Sequence, residues 1–101
     1  MNVQITSRKF KAKESLKGEI NKQLASLEKY NADILDANVI LSYTHLKDSI
    51  KTVEINLNVP GKVISAKEDD NDEFHKALSK VIVKLEKQLK KLKSKRITKT
   101  R

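Results

Sequence analysis

The sequence predicts an α+β fold: a two-layer β-α-β-β-β-α sandwich, with a four-stranded mixed sheet carrying two helices on one face. Three observations lead there. Apolar residues alternate with period two in four short stretches. They recur with helical period in two longer stretches, and the six stretches follow one another in the order β-α-β-β-β-α. At 101 residues and 38% hydrophobic content, the chain has material for one domain with one modest core.

Residues 2–7, NVQITS, set Val3 and Ile5 against Asn2, Gln4 and Thr6, which reads as a strand. From Glu14 the period changes. Leu16, Ile20, Leu24, Leu27 and Tyr30 fall on one helical stripe, and YNAD ends the helix. Gly18 inside that helix costs about 1 kcal/mol relative to Ala, so it is expected to mark close packing against another element. Residues 38–44 alternate again, with Val39, Leu41 and Tyr43 on one face, and THLKDS is the expected hairpin loop. Val53, Ile55, Leu57 and Val59 point inward from the third strand. Pro60-Gly61 suits a type II turn, where Gly supplies the positive φ. KVISAK is the fourth strand.

A helix then runs from about Glu73 to Lys95, with Phe74, Ala77, Leu78, Val81, Ile82, Leu85, Leu89 and Leu92 as its apolar stripe. The expected domain is 1–95, and residues 96–101 are expected to be a basic, disordered tail. The first strand, first helix and second strand form a crossover, so those two strands should be parallel. Short hairpins make the remaining neighbours antiparallel. Each strand has one apolar face only, so both helices must cover that same face. The layout resembles that of a double-stranded-RNA-binding domain.

The charge is lopsided. The net charge is +9, yet residues 76–101 hold eleven Lys and Arg against one acid, Glu86. The remainder of the chain holds eleven against twelve and is balanced. Such polarity marks a surface for a polyanion. On a helical wheel Lys76, Lys80, Lys84, Lys87 and Lys91 fall within an arc of about 80°, beside the apolar stripe. At ~1.5 Å per residue the row is roughly 22 Å long. Lys90, Lys93, Lys95 and Arg96 extend it less regularly.

Like charges four apart repel by about 0.2–0.5 kcal/mol per pair, so the row works slightly against folding. A solubilising face with cations at a helix C-terminus accounts for the last turn, but not for Lys76, Lys80 and Lys84. A row that grips phosphates accounts for all five, through release of counterions from nucleic acid. Lysine is a point charge without bidentate geometry, and there are only three arginines, which favours recognition of backbone and shape. That suits structured RNA, whose major groove is closed to side chains. The outer sheet face bears no aromatic platform for stacking bases. A membrane-surface helix is disfavoured, because the sheet needs the same apolar stripe for its own cover.

Other chemistries find little support. The chain has no cysteine, no apolar run that spans a bilayer and no signal-peptide core at its start, so it reads as a soluble, cytoplasmic protein. Asp69, Asn71 and Glu73 have a passing calcium-loop spacing but lack the turn glycine and the twelfth-position acid. Glu68, Asp69, Asp70, Asp72 and Glu73 read instead as acids that cap the last helix and complement its dipole. His45 and His75 have no nucleophile or carboxylate partner in a recognisable motif. No phosphate-binding loop, nucleophile elbow or dinucleotide fingerprint occurs. No enzyme activity, metal or cofactor is expected. Tyr30 and Tyr43 are expected in the core, whereas Phe10 either plugs the core edge or lies beside a basic loop that touches RNA.

Four stretches together resemble the ribosome hibernation-promoting factor family, which includes the ribosome-associated inhibitor. They are NVQITSRKF (2–10), LASLEKY (24–30), NVILS (38–42) and EFHKALSKVIVKLEKQLKKLKSK (73–95). The core of the last is Lys84-Leu85-Glu86-Lys87-Gln88-Leu89-Lys90-Lys91, similar to the family's K-L-x-R/K-Q-L-x-K. The resemblance implies a monomer when free, which binds the small ribosomal subunit and its 16S-type rRNA in the mRNA and tRNA channel. A protein bound there inhibits translation in stationary phase or stress. Whole ribosomes or ribosome dimers remain open as partners, and a general module for double-stranded RNA is the alternative reading.

The rRNA contacts carried over are Lys80, Lys84, Lys87, Lys91 and Lys95, with Lys76, Lys22 and Lys29 beside them. Many relatives read D-M-Y-x-A-I-D/N at the entrance to the second helix, where this chain has His75 for the tyrosine and Ser79 for the final residue. Longer members add a C-terminal dimerisation domain, and inhibitor-type short members end in an acidic tail. The basic KSKRITKTR resembles the short promoting-factor type.

Overall fold

Period-two stretches become strands because β-branched residues pack well on a pleated, half-buried surface. In the computed structural model, which describes residues 1–8, 11–30, 34–43, 50–71 and 73–99 and side chains as far as Leu92, they are β1 (Asn2–Arg8), β2 (Asp36–Tyr43), β3 (Lys51–Val59) and β4 (Lys62–Asp70). The helices are α1 (Glu14–Leu27) and α2 (Phe74–Lys99). The sheet order is β1-β2-β3-β4. β1 pairs parallel with β2, setting Ile5 beside Val39. β2–β3 and β3–β4 are antiparallel, setting Val39 beside Ile55 and Ile55 beside Ala66. The expected crossover and mixed sheet are therefore present.

The register places the inward side chains on one face. Val39, Leu41, Val53, Ile55, Leu57 and Ile64 join Leu16, Ile20, Leu24 and Leu27 of α1 in a single cluster. Ala77, Leu78, Val81, Ile82, Leu85 and Leu89 of α2 complete it. α2 lies against β3 and β4 and packs beside α1. The opposite sheet face is polar and stitched across strands: Ser65 Oγ lies 2.7 Å from Asn56 Oδ1, and Thr52 Oγ1 donates to Asp69 Oδ1 at 2.7 Å. Gly61 has φ 77°, as the expected turn requires, and lets Val59 and Lys62 close the β3–β4 hairpin.

Several expectations meet a different outcome. Gly18 is exposed, and a Cβ built there meets nothing within 4 Å, so no close packing explains it. α2 continues to Lys99, past the expected end near Lys95. Residues 100 and 101, the loop 44–49 with His45, and Phe10 and Asp72 lie outside the described residues. Tyr30 and Tyr43 are half-buried, and Tyr30 packs against the core. Among the described residues, no helix is long and apolar enough to cross a membrane.

Candidate nucleic-acid interface

Helical geometry decides what each lysine of α2 can reach. The stripe through Val81, Leu85 and Leu89 is fully buried. On the flank beside it, Lys80, Lys84 and Gln88 recur every four residues, about one turn apart, and face β4. Lys80 Nζ lies 3.4 Å from Asp70 Oδ1 and donates to the Asp69 main-chain oxygen at 3.3 Å. Lys84 Nζ is ion-paired with Glu68 Oε2. Gln88 Nε2 donates to the Ser65 main-chain oxygen at 2.9 Å. Three successive turns of α2 are thus tied to an edge strand, whose main-chain groups would otherwise invite pairing with another chain.

The acidic cluster serves this clamp as well as the helix entrance. Asp70 Oδ2 accepts the Glu73 N–H at 3.0 Å, while its other oxygen holds Lys80. The expected capping role falls to that carboxylate. Both ion pairs are half open to water: the Lys80 and Lys84 side chains are 51% and 53% exposed. Each therefore contributes modestly to stability, about 0.2–1 kcal/mol after solvent screening.

Toward the C-terminal half of α2, the surface changes character. Lys87 and Lys91 are exposed, and among the described residues no carboxylate pairs with either. With Gln88 and Lys90 they line a shallow depression on the C-terminal half of α2. Val83, 48% exposed, stands between Lys80 and Lys87 as an apolar spot in the basic surface. Lys76 is exposed on the first turn and is not without a partner. The Lys95 side chain lies outside the described residues. Lys22 is exposed on α1. Lys29, just past its end, is also exposed, with its Nζ 5.3 Å from the centroid of the Tyr30 ring.

The structure thus divides a row that reads as uniform in the sequence. Lys80 and Lys84 are engaged by carboxylates of β4, while among the described residues Lys87 and Lys91 are not. Lys90, which the wheel leaves outside the row, sits on the α1 side of α2 with its Nζ 5.3 Å from the same Tyr30 ring. The chain offers one signal for it: Lys90 follows Glu86 by four, on the flank opposite Lys80 and Lys84. An apolar hollow between Leu16, Tyr43 and Phe74 has Lys11, Lys13 and Lys51 on its rim.

The chain is 32% identical over 93 residues to the ribosome hibernation promotion factor of Deinococcus radiodurans, an alignment covering 90% of this chain and 48% of that protein. It therefore spans about half the length of that relative. Among solved structures, the N-terminal domain of Protein Y from Thermus thermophilus superposes with TM-score 0.81 at 26% identity, covering 91% of this chain and 99% of that one. A ribosomal subunit interface protein from Coxiella burnetii gives TM-score 0.83 at 26% identity, covering 93% and 99%. The model of the Sigma 54 modulation protein / S30EA ribosomal protein family matches residues 3–97, nearly the whole sandwich and its basic helix, and the chain belongs to that family.

Proposed function

We propose that this protein is a ribosome hibernation factor that binds the small ribosomal subunit through the basic surface of α2 and inhibits translation in stationary phase or stress. One observation carries the reading. α2 commits one side to the core and leaves a band of lysines exposed beside it, with Lys87 and Lys91 free of carboxylate partners among the described residues. Ammonium groups held without counterions displace condensed cations from a phosphate backbone, and that release drives association at physiological salt. Lys76, Lys80 and Lys84 extend the band along α2, Lys95 follows further along the same helix in the sequence, and Lys22 and Lys29 add a second point of attachment from α1. A body of this size seated in the mRNA and tRNA channel excludes both ligands by occupying their space. No catalytic step is required.

The test is sedimentation of the protein with purified small subunits and whole ribosomes across a salt series. Binding should fall linearly in log Kobs against log salt, and Lys87→Gln/Lys91→Gln should reduce the slope by about 0.7–0.9 for each phosphate no longer neutralised. Both side chains are exposed, so the melting temperature should hardly change. Full-strength binding by the double variant would remove Lys87 and Lys91 from the interface and overturn the observation that carries the reading. Equal affinity for naked duplex RNA would favour a general RNA-binding module over a ribosome factor.

A further inference from the structure

The two edges of the sheet differ. β4 is fastened to α2 through Lys80, Lys84 and Gln88. β1 pairs with β2 on one side, and among the described residues no strand lies against its other side. The Asn2 N–H donates to the Leu35 carbonyl at 3.1 Å, so Asn2, Gln4 and Thr6 aim their main-chain groups at β2. Successive residues of a strand alternate in this respect, so Val3, Ile5 and Ser7 aim theirs outward.

An open edge is a template for another strand, and proteins blunt it with lysine, proline or a bulge. β1 has none of these: its register with β2 runs unbroken from Asn2 to Arg8, and Arg8 is its one charged residue. Its inward side chains Val3 and Ile5 pack against the core yet are only partly buried. Apolar surface and outward main-chain groups thus coincide along one rim.

We propose that β1 pairs antiparallel with β1 of a second copy of this chain, about a two-fold axis at Ile5, to form one continuous sheet. NVQITSR is complementary to itself in that register. Ile5 faces Ile5, Val3 faces Ser7, Gln4 faces Thr6 and Arg8 faces Asn2, so no like charges meet within the strand. Val3, Ile5 and Ser7 become the hydrogen-bonded pairs, each exchanging both of its N–H···O=C bonds. A slip of one residue would set them against groups already spent on β2. A slip of two would carry Val3 or Ser7 past the end of the facing strand.

Charge placement favours the same partner. α2 lies over β3 and β4, so the two basic helices end up on opposite sides of the joint. About six strand spacings of ~4.8 Å separate them, roughly 29 Å. That is several Debye lengths, at ~8 Å each in physiological salt. The basic surface of α2 stays outside the joint, so the pairing goes beyond the proposed ribosome binding and does not rest on it. It replaces the free monomer that the family resemblance implies. The joint is small, so the dimer is weak and forms between about 10 µM and 1 mM protein.

Sedimentation equilibrium and amide hydrogen exchange of the full chain across that range test the pairing. Monomer should give way to dimer, and more readily at higher salt, which screens the +9 charge. Binding to RNA responds to salt in the opposite sense. The amides of Val3, Ile5 and Ser7 should gain protection as the dimer forms, while those of Gln4 and Thr6 change little. Gln4→Glu/Thr6→Glu lowers the net charge yet sets like charges face to face, and should weaken the dimer about two- to thirtyfold. Gln4→Glu/Thr6→Lys sets opposite charges there and should tighten it by a similar factor. Both positions are exposed, so thermal melts of the dilute variants should stay near wild type.

A monomer at every concentration, or a dimer indifferent to both variants, would overturn the proposal. So would edge amides protected equally at all concentrations, because another part of the same chain would then occupy the β1 edge.

Discussion

Lys84 of α2 is ion-paired with Glu68 of β4, across the join between the helix and the edge strand it covers. One turn earlier Lys80 makes the same kind of pair with Asp70, and one turn later Gln88 bonds the Ser65 carbonyl. α2 therefore holds two populations of cation. One is a clamp that fastens the helix and screens the β4 edge. The other, Lys87, Lys90 and Lys91, has no acid paired with it among the described residues. For RNA, Glu68 and Asp70 are competitors already in place: a phosphate that engages Lys80 or Lys84 must displace a carboxylate.

That competition predicts the behaviour of Glu68→Gln/Asp70→Asn. Asn at position 70 can still accept the Glu73 N–H, so the helix entrance is kept. Each exposed pair contributes about 0.2–1 kcal/mol, so the double variant should give up little stability and bind subunits roughly two- to tenfold more tightly at fixed salt. The log-log salt slope should also steepen, by about 0.7–0.9 for each lysine that takes up a phosphate. Unchanged affinity would mean that Lys80 and Lys84 belong to the fold alone.

The Gln88 bond to Ser65 predicts a different outcome, because it touches the body and not the phosphates. Gln88→Leu leaves the Ser65 carbonyl to water and should destabilise the protein by about 0.5–1.5 kcal/mol. Chemical denaturation should show a lower midpoint with an unchanged m-value. Subunit affinity at a temperature where the variant is folded should stay near wild type.

How much of this is legible in the chain follows from distance along it. Val53, Ile55, Leu57 and Val59 report their strand through period two, and Val81, Leu85 and Leu89 report their helix through steps of four, because each pattern is local. Lys84 and Glu68 are met only after α2 is laid on the sheet beside β4, so their pairing depends on which strand ends at the edge. The wheel places Lys84 next to the apolar stripe, and that nearness is what brings it within reach of an acid. Tyr30 reads as a core residue because it continues the helical stripe of Ile20, Leu24 and Leu27. The gathering of Lys29 and Lys90 at its ring needs the end of α1 to lie against the middle of α2, which no local pattern reports.

The β3–β4 turn gives a prediction about the backbone. Gly61 sits at φ 77°, where a Cβ crowds the following carbonyl, even though open space surrounds the position. Gly61→Ala should therefore cost about 1–2 kcal/mol from conformation alone. Asn tolerates this region better, so Gly61→Asn should recover part of the loss. Equal melting temperatures for Gly, Asn and Ala at this position would mean that the turn relaxes to another type.

Gly18 gives the opposite sign. It lies inside α1, it is exposed, and an added methyl would touch nothing within 4 Å. The folded state thus gains no clash from alanine, while the unfolded chain loses freedom that glycine had supplied. Gly18→Ala should stabilise the protein by about 0.5–1 kcal/mol. For a domain of this size that raises Tm by roughly 2–8 °C. Subunit binding should be unaffected if α1 contributes only Lys22 and Lys29. Weaker binding by a more stable Gly18→Ala protein would mean that RNA approaches the α1 backbone at this point, closer than any side chain would permit.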